Sequence, residues 1–77
     1  MEIIRMVIAQ GKKIPAHSVP GKISVQCIAG HILFGIGSEI RNLTEGDWLF
    51  LEGGQVHSLE AVSDSVLLVT ILFASEE

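Results

Sequence analysis

The sequence is short of cysteine, with one, of aromatics, with no tyrosine at all, of proline, with two, and of basic residues, with five. Each shortage closes a class of function. Cys27 has no intramolecular partner, which excludes the disulfide frameworks of small secreted domains and fits a reducing compartment. The cations Arg5, Lys12, Lys13, Lys22 and Arg41 are scattered and outnumbered by nine acidic residues, for a net charge of −4. Without a concentration of positive charge to neutralise phosphates, no nucleic-acid partner is expected. The most apolar run, Val66 to Ala74, is interrupted by Thr70 and falls well short of the roughly 20 residues of a membrane helix, so no membrane partner is expected. Glu2 and a lone Arg5 stand where the cationic start of a signal peptide would be, and no cleavage-like site follows. The expected location is the cytoplasm.

What is present points to one small, apolar domain spanning residues 1–77. A chain of this size buries only about 60% of the surface its unfolded form exposes. With 48% hydrophobic residues, it carries more apolar surface than one small core can hide. That surplus predicts a homodimer.

Turn residues recur at short intervals: Gly11, Pro15, Pro20-Gly21, Gly30, Gly35, Gly37, Gly46-Asp47, Gly53-Gly54 and Asp64. Helices of ordinary length do not fit between them. The intervening pieces are rich in Ile, Val, Leu and Phe and tolerate period-two alternation, the pattern of short strands in a sandwich or barrel. Strands are expected near 2–9, 22–29, 31–36, 39–43, 47–51, 55–61 and 65–73. Pro20-Gly21 reads as a type II turn, because proline fixes the first central φ and glycine accepts a positive second one. The strands around Trp48-Leu49-Phe50-Leu51 and Val66 to Phe73 are apolar on both faces, so both faces are expected to be covered.

Two segments echo each other. Gly11-Lys12-Lys13-Ile14-Pro15-Ala16-His17 runs from a glycine to a histidine, and Gly46-Asp47-Trp48-Leu49-Phe50-Leu51-Glu52-Gly53-Gly54-Gln55-Val56-His57 places Gly-Asp, a hydrophobic strand and a glycine turn before a second histidine. Together they resemble the two motifs of the cupin superfamily, and the resemblance extends over nearly the whole chain. It implies an all-β fold, a small antiparallel jelly-roll barrel that is closed and has no long helix, with any metal held between the motifs by His17 and His57. Further ligands of the pattern are replaced. The second histidine of the first motif is Val19, and its glutamate falls at Ile23 or Ser24. The proline of the second motif is Glu52, and the asparagine sometimes found beyond its histidine is Ala61.

Two imidazoles leave most positions of a transition metal to water, so a divalent ion held by His17 and His57 alone is expected to bind weakly and exchange readily. Glu52 could add a carboxylate only if its loop folded inwards. Three readings of the pair stay open: metal ligands, a polar pair for a ligand without metal, or structural histidines. The residues are read as those of a pocket protein that binds a small polar molecule, aided by a weakly held divalent transition metal. The alternative is a metal-dependent cupin enzyme of dioxygenase or isomerase type, and a third reading is a structural or regulatory module whose pocket has decayed. Val19, Ile23 and Leu59 are expected to form a dry wall beside the histidines. His31 is expected in an exposed turn, Cys27 as packing or a pocket-wall thiol of low reactivity, and Trp48 in core or subunit packing or as a stacking platform.

Overall fold

Alternation of inward apolar and outward side chains builds eight strands: β1 (Glu2–Ile8), β2 (Lys13–His17), β3 (Lys22–Ala29), β4 (His31–Ile36), β5 (Glu39–Thr44), β6 (Trp48–Leu51), β7 (His57–Ala61) and β8 (Ser65–Leu72). These come from a computed structural model that describes residues 1–72; the expected strand end at Phe73 lies outside the described residues. No helix forms among them, and none is therefore long and apolar enough to cross a membrane.

The strands make two four-stranded sheets, β1-β8-β3-β6 and β2-β7-β4-β5, antiparallel at every junction. The all-β, antiparallel jelly-roll expectation holds, but the closed barrel does not. Neither sheet returns to its own first strand, and the two face each other as a sandwich. The core lies between them. Ile23, Val25 and Cys27 of β3, Leu49 and Leu51 of β6 and Leu67 and Ile71 of β8 point inwards from the first sheet. Ile32 and Phe34 of β4, Leu43 of β5 and Leu59 and Ala61 of β7 meet them from the second. Burying each of the larger side chains contributes about 1.5–3 kcal/mol before the entropy of ordering the chain is set against it.

Three sequence expectations are corrected. β2 falls in a segment read as a loop. It is an edge strand with a proline inside it, which an edge tolerates because one side of its backbone needs no ladder partner. Pro20-Gly21 is a bend and no type II turn, since Gly21 does not take a positive φ. The outer face of β6 is not covered within the chain: Trp48 is 62% and Phe50 46% exposed, because β6 too is an edge and only its Leu49 and Leu51 face the core.

The crossing from β3 to β4 is held by an unusually close approach. Gly30 has φ 93°, and a Cβ there would overlap the Ser65 hydroxyl and the Asp64 carbonyl. The buried Ser65 Oγ accepts the His31 N–H at 3.0 Å and donates to the Ser63 carbonyl at 2.8 Å. A polar atom so placed costs little because it is satisfied.

Candidate functional site

His17 closes β2 and His57 opens β7, and the antiparallel register makes them direct cross-strand partners. The register shifts between Ile14 and His17, so a bulge in β2 brings His17 opposite His57. The rings meet edge to face with centroids 4.3 Å apart and planes at 61°. His57 also stacks almost parallel on Phe34, centroid to centroid 5.7 Å. His57 is buried, at 7% exposure, whereas His17 is exposed. The pair thus runs from the interior to the surface.

Both rings are oriented in the same way. His17 Nδ1 lies 3.0 Å from the Pro15 carbonyl oxygen, and His57 Nδ1 lies 3.0 Å from the Gln55 carbonyl oxygen. A carbonyl can only accept, so each Nδ1 carries the proton, and in the neutral ring each Nε2 then presents a lone pair. A hydrogen bond from one ring nitrogen to a backbone carbonyl is the usual way a ligating imidazole is held and its tautomer fixed.

The loop before His57 explains why it sits so firmly. In Glu52-Gly53-Gly54-Gln55 the Gln55 N–H reaches back to the Glu52 carbonyl, with Gly54 at φ 83° in the position a type II turn reserves for glycine. The Gln55 side chain accepts the Glu52 N–H at 3.0 Å, and the Gly54 N–H donates to the Val19 carbonyl at 2.8 Å. The turn preceding His57 is thereby tied to the segment that follows His17.

Between the sheets, next to the two rings, lies a cavity of about 100 Å³. Met6, Val25, Leu67 and Val69 line it from the first sheet. Ile14, Phe34 and Leu59 line it from the second. Apart from the imidazoles, every lining side chain is apolar.

His17 and His57 do come together, and Leu59 is part of the wall. Val19 and Ile23 are not: Ile23 is buried in the core, and the partly buried Val19 packs against that core without lining the cavity. The wall residues Met6, Val25, Leu67 and Val69 went unrecognised because, along the chain, an inward apolar residue over a cavity looks the same as one in the core. Only the facing of β1, β3 and β8 across from β7 distinguishes them. Cys27 lies on the inward face of β3 but does not line the cavity; its thiol points to the carbonyls of Ala29 and Gly30 at 3.4 and 3.8 Å. Burial pushes its pKa up, against a smaller opposing effect of the Ala29 hydrogen bond.

His31 stands at the start of β4, outside the cavity, with Nε2 2.9 Å from Asn42 Oδ1. Trp48 is exposed on the outer face and cannot stack on anything in the cavity. Asp47 of the second motif clasps its own turn, accepting the Thr44 N–H at 3.0 Å and the Thr44 hydroxyl at 3.1 Å, which hold its carboxyl below the usual aspartate range. Glu52 is exposed and does not fold inwards.

As a donor set for a metal, the site offers two well-oriented imidazole nitrogens. Among the described residues no group of three or more His, Cys, Asp or Glu side chains is placed to share an ion. That fits a loosely held divalent ion completed by water or by a bound molecule and falls short of the three or four protein ligands of a tight site.

No family model matches the sequence, and no curated protein matches it. Solved structures do. An RmlC-like cupin from Shewanella frigidimarina is 19% identical, with a TM-score of 0.88 over 96% of this chain and 67% of its own. An RmlC-like cupin protein from Desulfovibrio desulfuricans is 26% identical, with a TM-score of 0.80 over 90% of this chain and 68% of its own. A salicylate 1,2-dioxygenase from Pseudaminobacter salicylatoxidans is 17% identical, with a TM-score of 0.86 over 90% of this chain but only 20% of its own. Structures named as cupins thus superimpose on nine-tenths or more of the length of this chain, and its fold is that of the cupin superfamily.

Proposed function

We propose that this protein binds a small polar molecule in the cavity beside His17 and His57, either directly on the two Nε2 atoms or through a weakly held divalent metal. One observation carries the reading: both Nδ1 atoms are tied to backbone carbonyls, so both Nε2 lone pairs are left for something other than the protein. The remaining wall is apolar, and pockets of that kind use a few convergent polar groups to orient what they bind. A volume of about 100 Å³ is well below the roughly 300–1,000 Å³ of pockets for drug-sized ligands, which favours a compact molecule such as a small acid or alcohol. A bound ion would supply Lewis-acid character and an anchor for a carboxylate or hydroxyl oxygen. His57 would be the fixed ligand and His17 the exposed one.

The enzyme reading is less favoured, because dioxygenase-type iron sites take two histidines and a carboxylate and no carboxylate joins this pair among the described residues. The test is calorimetric titration of metal-free, untagged protein with Zn²⁺ and Mn²⁺. Binding in the micromolar range or weaker is expected for Zn²⁺, lost in His57→Ala and reduced at least about tenfold in His17→Ala. Unchanged Zn²⁺ affinity in the double variant would place the site elsewhere.

A further inference from the structure

The cavity beside His17 and His57 has one further side chain with a lone pair to give. Met6 lines it from β1 on the opposite sheet, and the rest of the lining is hydrocarbon. The other inward residues of β1, Ile4 and Ile8, pack on the core and stay outside the cavity, so the one β1 side chain in the wall is the thioether. Two imidazole nitrogens and one sulfur make a donor set that is neutral throughout. No group of three or more His, Cys, Asp or Glu side chains brings a carboxylate or thiolate to it among the described residues.

On the reading that His17 and His57 are ligands, we propose that the ion this cavity suits best is monovalent copper, Cu(I), held by both Nε2 atoms and the Met6 sulfur. Charge is the first reason. The cost of taking an ion out of water rises with the square of its charge, so in an apolar cavity a divalent ion loses about four times the solvation of a monovalent one of the same size. An anionic ligand would offset that loss, and the cavity wall has none.

Donor type is the second reason. A thioether is a soft ligand that selects Cu(I), whereas Zn²⁺ is served by imidazole, thiolate and carboxylate. The third is coordination number: Cu(I) is satisfied by a linear or trigonal set, but Zn²⁺ takes four ligands. A volume of about 100 Å³ is room for roughly three waters at ~30 Å³ each, yet an apolar wall gives a metal-bound water nothing to hydrogen-bond, which weakens a Zn²⁺ shell completed by water. Cys27, also a soft donor, aims its thiol at the Ala29 and Gly30 carbonyls and does not line the cavity. As a mere filler of a gap in the core, Met6 would be exchangeable for leucine without consequence for any metal.

Anaerobic titration of the untagged, metal-free protein with Cu(I), in competition with the chromophoric chelator bicinchoninate, tests the assignment. Affinity at least about 1,000-fold above that for Zn²⁺ is expected. Met6→Leu, close in volume, should weaken Cu(I) binding by about tenfold or more and leave Zn²⁺ unchanged within about twofold. His57→Ala, or His17→Ala should the first fold poorly by circular dichroism, should weaken both, and Cys27→Ala neither. With the methionine methyl groups ¹³C-labelled, Cu(I) should move the signal that is missing from the Met6→Leu spectrum. Cu(I) held no more tightly than Zn²⁺, or as tightly by Met6→Leu as by wild type, overturns the copper site and leaves the histidine pair as ligands. Movement of the Met1 signal alone overturns it as well, and so does Cu(I) affinity that falls with Cys27→Ala but not with Met6→Leu. Both ions bound undiminished by the His17→Ala and His57→Ala double variant would overturn the histidine reading too.

Discussion

A neutral imidazole has one proton to place on two nitrogens, and the position of that proton decides what His17 and His57 can do. The carbonyls of Pro15 and Gln55 settle it for both rings. What the pair lacks for Zn²⁺ is a further imidazole, carboxylate or thiolate. Val19, where the resembled pattern has its second histidine, is not on the cavity wall, so Val19→His would not complete the site. Met6 lines the cavity from the facing sheet, and histidine is close to methionine in volume. Met6→His should therefore raise Zn²⁺ affinity by about tenfold or more in the same titration; no gain would mean that the cavity is too wide for a facing ligand to reach the pair. Cys27 makes the opposite point about side-chain chemistry. Its thiol is fully buried and desolvation raises its pKa, so at pH 8 the native protein should react with a disulfide reagent at least about 100-fold more slowly than the urea-unfolded protein. Rapid native labelling would show that the core around β3 opens readily.

Elements depend on how closely they approach one another, and the β3–β4 crossing is the tightest approach described. Gly30→Ala puts a methyl group into the Ser65 hydroxyl and the Asp64 carbonyl at a left-handed φ. It should cost about 2–4 kcal/mol in urea unfolding. A loss under about 1 kcal/mol would mean that the β7–β8 loop yields easily. The same scale shows what could be read from sequence. Strands with alternating apolar residues, such as Ile23, Val25 and Cys27 in β3, announced themselves. β2 did not, because it buries no residue fully, carries Pro15 and exposes Lys13, Ala16 and His17. Its strand character comes from pairing with β7, a contact remote in the chain. The histidine pair was legible only through the resemblance of its two segments to a known pattern, since nothing local to His17 says that it faces His57. The wall of Met6, Val25, Leu67 and Val69 depends on which sheet faces which, and alternation along a strand carries no such information.

At the scale of the molecule, the sheet order places β1 beside β8, the first strand against the last described one. During synthesis β1 therefore emerges with no ladder to join, and it must wait, apolar and unpaired, until β8 has left the ribosome. Topologies with such distant pairings fold slowly, in milliseconds to seconds, because a long loop has to close before any contact rewards it. Refolding from urea, followed by stopped-flow circular dichroism, should fall in that range, and a time constant of microseconds would contradict it. A circular permutant cut in the exposed Gly37-Ser38 turn and joined through a short linker after residue 77 would make the β8–β1 pair a local hairpin. It should refold faster than the native chain order while keeping the same sandwich.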